Sequence, residues 1–218
     1  MTSSKPDIKI QAPKLPVQFE NDNSCICDIE SCSLCENASI NDTTIENNSS
    51  EHVIFKQMVF RNVTFKNVSF KNLDLTDIKF EKCDMSNVDF GESVIYRTEF
   101  KDCRIIGINL VSSTLRNVAF RNCNGDYAFF RFSNLKQVLF ENSSFPDSDF
   151  SSSTFSQVVF SNTNLCQSQM SGTKLDGVDL RSDVIDGIGA RVEDLHGAIV
   201  TPLQAVDLSR KMGLVVED

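Results

Sequence analysis

Four cysteines near the start of the chain, Cys25, Cys27, Cys32 and Cys35, follow the pattern C-x-C-x4-C-x2-C. That density is enough for a zinc ion held by four thiolates. Other reactive patterns are scarce. The two histidines, His52 and His196, are far apart, and the sequence has no glycine-rich phosphate loop, no G-x-S-x-G and no Cys/His pair set by a motif. Neighbouring carboxylates such as Glu193 and Asp194 read as a solvated turn rather than an acid/base pair. The chain therefore reads as non-enzymatic and without a cofactor, and the zinc pattern has a plainer explanation in the elements that would carry it.

From Phe55 to Val200 every fifth residue is apolar at 29 of 30 positions, with only Gly125 breaking the series. The chain has 17 Phe but no Trp and two Tyr, so one recurring position demands Phe. Two residues before each of these sits a small or slender side chain, as at Val63, Val68, Cys83, Cys103, Ser113, Cys123, Ala128 and Thr163. A period of five matches neither helix nor flat strand, so the chain must turn once per repeat. If each pentapeptide is one side of a coil with two side chains pointing inward, four sides close a square and residues 20 apart stack. At about 4.8 Å per coil the repeats give roughly seven coils and a filled rod of about 35 Å.

One column then reads Phe60, Phe80, Phe100, Phe120, Phe140, Phe160, Leu180, and its rings supply a large share of the burial. The next reads Phe65, Met85, Ile105, Gly125, Phe145, Leu165, with room at Gly125 for its neighbours. Cys83, Cys103 and Cys123 stack as small hydrophobes. Cys27 and Cys32, two residues ahead of Ile29 and Leu34, take the same inward place in a weaker upstream register. On this reading the four N-terminal cysteines are free thiols and hold no stoichiometric metal.

The series resembles the pentapeptide-repeat consensus, Ala followed by Asp or Asn, then Leu and two variable residues, matched best by Val178-Asp179-Leu180-Arg181-Ser182. Asp126-Tyr127-Ala128-Phe129-Phe130-Arg131-Phe132, Gly177-Val178-Asp179-Leu180, Val200-Thr201-Pro202-Leu203-Gln204-Ala205 and Met212-Gly213-Leu214-Val215-Val216 are similar to Qnr-type proteins of Gram-positive bacteria. The resemblance spans residues 53–218. It implies an all-β fold, a right-handed quadrilateral β-helix, that dimerises through its C-terminus. It also implies engagement of DNA gyrase and topoisomerase IV by a rod of DNA-like width that enters their basic saddle. The loops inserted into Gram-negative members have no counterpart in the unbroken register from 55 to 200.

The ends depart from the repeat. Residues 1–24 hold three of the five prolines and read as an extended arm or cap. Residues 25–52 read as an irregular first coil with a one-residue slip at Asn37 and a surface loop over 47–52. The β-helix then runs over 53–200, and 201–218 form a C-terminal segment. Thr201 before Pro202, with Gly213 as a stop, predicts a helix over 202–212. Leu203, Val206, Leu208, Met212, Leu214 and Val215 are more apolar surface than this segment can bury alone. The open end of a β-helix also needs covering, and a C-terminal homodimer through these residues meets both needs.

The formal charge of -9 divides unevenly: -6 over 1–52, +4 over 53–136, -6 over 137–200 and -1 over 201–218. A C-terminal dimer would gather -14 across its centre. Asp176, Asp179, Asp183, Asp186, Glu193 and Asp194 are the candidate acidic partner-binding surface. Phosphate contacts need a positive surface, so direct nucleic-acid binding is disfavoured and mimicry of DNA is the better reading. About 35 Å of duplex carries roughly 20 charges, against -2 over residues 53–200 here, so only the dimer centre is DNA-like. No apolar run approaches the roughly 18 residues of a membrane helix and the N-terminus lacks a secretory signal, so no membrane contact and a cytoplasmic location are expected. The competing reading is a scaffold whose rod displays an interaction surface for an unrelated partner.

Overall fold

The computed structural model describes residues 8–19, 29–210 and 213–217. Its strands are β1 (Leu34–Glu36), β2 (Ser39–Asn41), β3 (Thr44–Glu51), β4 (Ile54–Arg61), β5 (Thr64–Lys71), β6 (Asp74–Glu81), β7 (Val94–Lys101), β8 (Thr114–Arg121), β9 (Asn134–Glu141) and β10 (Thr154–Ser161), followed by helix α1 (Pro202–Ser209). All ladders are parallel and join residues 20 apart, from Leu34↔Ile54 to Asp179↔Ile199. This is the four-sided β-helix that the period of five requires. We number the sides by the inward residues Phe55, Phe60, Phe65 and Phe70 and their equivalents 20 further on. The first and second sides keep continuous strands through β10. The third and fourth do so only in β3 and β5, then pass to single bridges such as Asp84↔Arg104 and Arg104↔Asn124.

The turn between sides has one backbone solution. φ is positive at every fifth position from Cys32 to Gly177, from Asn37 onward two residues after each inward residue, with values of 46–64° at the non-glycine residues. Left-handed backbone costs an ordinary L-residue roughly 1–2 kcal/mol, and Asn, Asp and Gly bear it most easily. The Asn surplus follows: Asn37, Asn47, Asn62, Asn67, Asn72, Asn87, Asn117, Asn122, Asn142 and Asn162 all occupy this corner position.

The interior is a stack of rings. Phe60, Phe80, Phe100, Phe120, Phe140 and Phe160 lie parallel with centroids 4.8–5.0 Å apart. Gly125 is required by a neighbour, because a Cβ there would stand 2.2 Å from Phe145 Cε1. Phe145 alone fills the gap; the residue on the other side in that column is Ile105. The small inward position has a polar duty that its size conceals. Ser93, Ser113, Ser133, Ser153 and Thr173 form a buried ladder in which each hydroxyl accepts the backbone N–H of the residue 20 earlier. An unpaired buried N–H costs about 1–3 kcal/mol, so serine does here what an aliphatic residue cannot.

Cys83, Cys103 and Cys123 stack in the core as expected. The Cys103 thiol and burial push the Cys83 thiol up, and the thiol of Cys123 with burial pushes Cys103 up to about 12. Such thiols stay protonated and are poor nucleophiles.

Upstream the register differs from the sequence reading. Cys35, not Leu34, faces the core and pairs with Phe55, while Leu34 is exposed and Cys32 occupies an exposed left-handed corner. The one-residue slip therefore precedes Cys35, and Asn37 is an ordinary corner. Residues 47–51 belong to β3 rather than a loop. Ser50 stands at the inward position there, its hydroxyl donating to the Ile29 carbonyl, which polar composition alone disguised. Of the four thiols proposed for zinc, Cys25 and Cys27 lie outside the described residues.

The N-terminal arm, residues 8–19, has no helix or strand and lies along the corner between the first and second sides. The Gln11 N–H donates to Asn117 Oδ1 (3.1 Å), the Lys14 N–H to Asp77 Oδ1 (2.8 Å), and the Lys14 carbonyl accepts from Gln57 Nε2 (3.1 Å). It is a strap on the flank of the rod.

Candidate protein-interaction surface

Charged residues on the rod sit in columns, and most are already paired. Along the second side Arg61, Lys79 and Lys101 surround Glu81, Lys79 and Arg121 reach Glu99, and Arg121 also meets Glu141. The +4 of residues 53–136 is thus interleaved with carboxylates. Exposed pairs of this kind add about 0–1 kcal/mol each.

The last coils use their acids differently. Asp183 is buried, and its Oδ1 accepts the Thr163 N–H, as Ser143 accepts the Cys123 N–H in the same column. Asp194 is buried at the turn 192–195, where it accepts the Gly172 N–H and two bonds from Arg191. The hydrogen bond from Arg191 outweighs burial and holds its carboxyl below the ordinary range. Asp179 is buried beneath a bidentate Arg181. Three of the six acidic candidates are therefore engaged within the fold, Asp183 and Asp194 by backbone N–H groups of the preceding coil and Asp179 by Arg181. Asp176, Asp186 and Glu193 remain exposed, and Asp207, which the sequence reading passed over, joins them on α1.

Helix α1 covers the open coil. Thr201 and Gln204 form a reciprocal capping box, and Gln204 Nε2 donates to the carbonyls of Leu180 and Asp183. The helix ends at Ser209, short of the expected 212. Leu208 is partly buried against the rod's own core, and Met212 lies outside the described residues. Leu203 (74% exposed), Val206, Leu214, Val215 (85% exposed) and Val216 leave apolar surface bare. Between α1 and the turn at 183–188 is a cleft of about 640 Å³ lined by Asp186, Leu203, Asp207, Leu208 and Arg210. The end of the rod thus combines bare apolar side chains with exposed carboxylates.

A second bare patch lies midway along the rod, where Tyr127, Phe129 and Phe132 are exposed and Arg131 sits over the Phe132 ring at 5.4 Å.

Family models agree with the geometry. A pentapeptide repeat region matches residues 73–150, and a model of eight pentapeptide repeats matches 143–181. The chain belongs to the pentapeptide-repeat family. Solved structures similar to this pentapeptide-repeat protein include a trypsin-treated variant of QnrB1, a plasmid-mediated fluoroquinolone resistance protein. It shows 16% identity and a TM-score of 0.43, with 83% of this chain and 99% of that one covered. Full-length QnrB1 aligns with 13% identity and a TM-score of 0.28 over 81% and 100% of the two chains. HetL, a pentapeptide-repeat protein involved in heterocyst differentiation regulation in the cyanobacterium Nostoc, aligns with 11% identity and a TM-score of 0.32 over 78% and 87%. No curated protein matches.

Proposed function

We propose that this pentapeptide-repeat rod is a non-enzymatic cytoplasmic protein that dimerises through its C-terminal end and binds DNA gyrase or topoisomerase IV, lowering their sensitivity to quinolones. The observation that carries this reading is the conjunction at one end of bare apolar residues (Leu203, Val206, Leu214, Val215) with exposed Asp176, Asp186, Glu193 and Asp207. A two-fold contact there would bury the first set and bring two copies of the second to the middle of a longer rod, which suits a basic groove. Because Asp179, Asp183 and Asp194 are engaged within the fold, the mimicry of DNA is thinner than net charge implies. The acidic centre steers the encounter, and its effect falls with salt.

The deciding measurement is gyrase supercoiling in the presence of a quinolone, with and without the protein. Relief of inhibition that weakens at high salt supports the reading, and no relief at any ratio overturns it. In that event the scaffold reading leads. It is favoured by the exposed Tyr127, Phe129 and Phe132, which lie away from the acidic end.

A further inference from the structure

The four corners of the rod share one backbone conformation but not one set of side chains. The corner between the second and third sides carries the residues that left-handed backbone prefers, Asp42, Asn62, Asp102, Asn122, Asn142 and Asn162, with Lys82 the exception. The corner between the first and second carries Asn37, Gln57, Asp77, Arg97, Asn117, Gln137 and Gln157. Gln and Arg bear the cost of positive φ without the relief that Asn and Gly enjoy. What this corner gains is a row of long polar side chains, and the arm lies on it.

Among the described residues, each hydrogen bond from arm to corner uses the arm's main chain: the N–H of Gln11, the N–H of Lys14 and the carbonyl of Lys14. The spacing explains why. Three residues of polyproline-type chain advance about 9.3 Å, and two coils of the rod advance about 9.6 Å. Gln11 meets Asn117, and three residues on Lys14 meets Asp77, two coils back. Three residues the other way Ile8 lies beside Gln157, two coils forward. Pro13 and Pro16 hold the arm extended. Beneath it, Arg97 grips Asp77 through bonds of 2.5 and 2.6 Å and fixes the acceptor.

The arm is an imperfect occupant. Asn117 is fully buried, its Oδ1 is taken by Gln11, and its Nδ2 donor has no partner among the described residues. A cleft of about 480 Å³ remains beside Ile8 and Lys9, walled by Gln137, Gln157, the half-buried Phe155 ring and Val178, where Gly177 leaves the corner bare. We propose that this corner is a receptor groove for an extended, proline-containing segment of another protein, recognised through its main chain, and that residues 8–16 are its resident competitor. The fitting segment offers a carbonyl to Asn117 Nδ2 and a larger apolar side chain where Ile8 lies.

The test uses a labelled peptide with the sequence of residues 7–17 and the full chain. A second full chain has its arm loosened by Ile8→Ser, Ile10→Ser, Pro13→Gly and Pro16→Gly. The peptide is expected to bind the loosened chain at one site, at least about tenfold more tightly than the native chain, whose tethered arm competes at high effective concentration. A peptide carrying Ile8→Phe should bind several-fold tighter still. Asn117→Ala in the loosened chain should weaken binding about tenfold, with circular dichroism reporting the β-helix. If that variant does not fold, Gln57→Ala, which removes the donor to the Lys14 carbonyl, should weaken binding about threefold. Equal binding to native and loosened chains, no binding to either, or indifference to these groove substitutions overturns the proposal. So does a peptide-bound complex that contains two chains.

Discussion

The middle of the rod and its C-terminal end solve the same problem with different residues. In the middle, each coil finds its hydrogen-bond partners in the next. Ser113, Ser133 and Ser153 accept one buried N–H apiece, and Phe rings stack at one per coil. At the end the following coil runs out, and side chains of greater reach replace it: Asp194 on Gly172, and Gln204 on two carbonyls. Negative charge at a solenoid end can thus be a capping device before it is a binding surface. The distinction lies in which carboxylates are buried, and net charge along the sequence does not contain it.

The comparison can be broken most forcefully in the middle. Phe120→Asp would bury an unpaired charge among stacked rings and should cost more than about 4 kcal/mol, enough to prevent folding, read by circular dichroism and thermal melting. Gly125→Ala should cost about 1–3 kcal/mol because Phe145 cannot retreat from its packed site.

At the end, Asp194→Ala should cost about 1.5–3 kcal/mol at neutral pH by leaving the Gly172 N–H unpaired and leaving Arg191 with the exposed Glu193 alone. Its pH dependence has a definite sign. The folded carboxyl lies below its ordinary value of 3.8, so its contribution is complete above that pH and is lost as the pH falls through the lower folded value. A melting temperature that drops more steeply below about pH 4 in the native chain than in Asp194→Asn would agree, and parallel curves would refute it.

Leu203→Glu with Val206→Glu should leave the rod's melting unchanged within about 0.5 kcal/mol. By light scattering the chain should become monomeric if the C-terminal dimer exists. The smallest effect belongs to Lys101→Ala, whose pairing with Glu81 at 3.9 Å is exposed, and a change beyond about 0.5 kcal/mol would mean that the surface columns matter more than their solvation allows.

Much of the fold was legible in the residues. The period of five determined the coil, the period of twenty its stacking, and the Phe column its interior, because a turn that recurs at fixed spacing leaves one way to bury the same position each time. Thr201 and Pro202 announced the start of the helix through local chemistry. The left-handed corner was also present in the sequence, in the Asn that recurs two places after each inward residue, and spacing of apolar residues alone passed over it.

Other features were decided only in three dimensions. Whether residues 47–51 are loop or strand depended on β5 offering a ladder to a polar segment. Whether Leu34 or Cys35 faces inward depended on pairing with Phe55, since a strand presents either neighbour equally well until its partner fixes the face. The course of the arm was set by Asp77 and Asn117, which are remote from it in sequence. The acidic candidates divided into buried caps and exposed charges by the same logic. A sequence counts carboxylates, but only the folded chain determines which of them an unpaired N–H has already claimed.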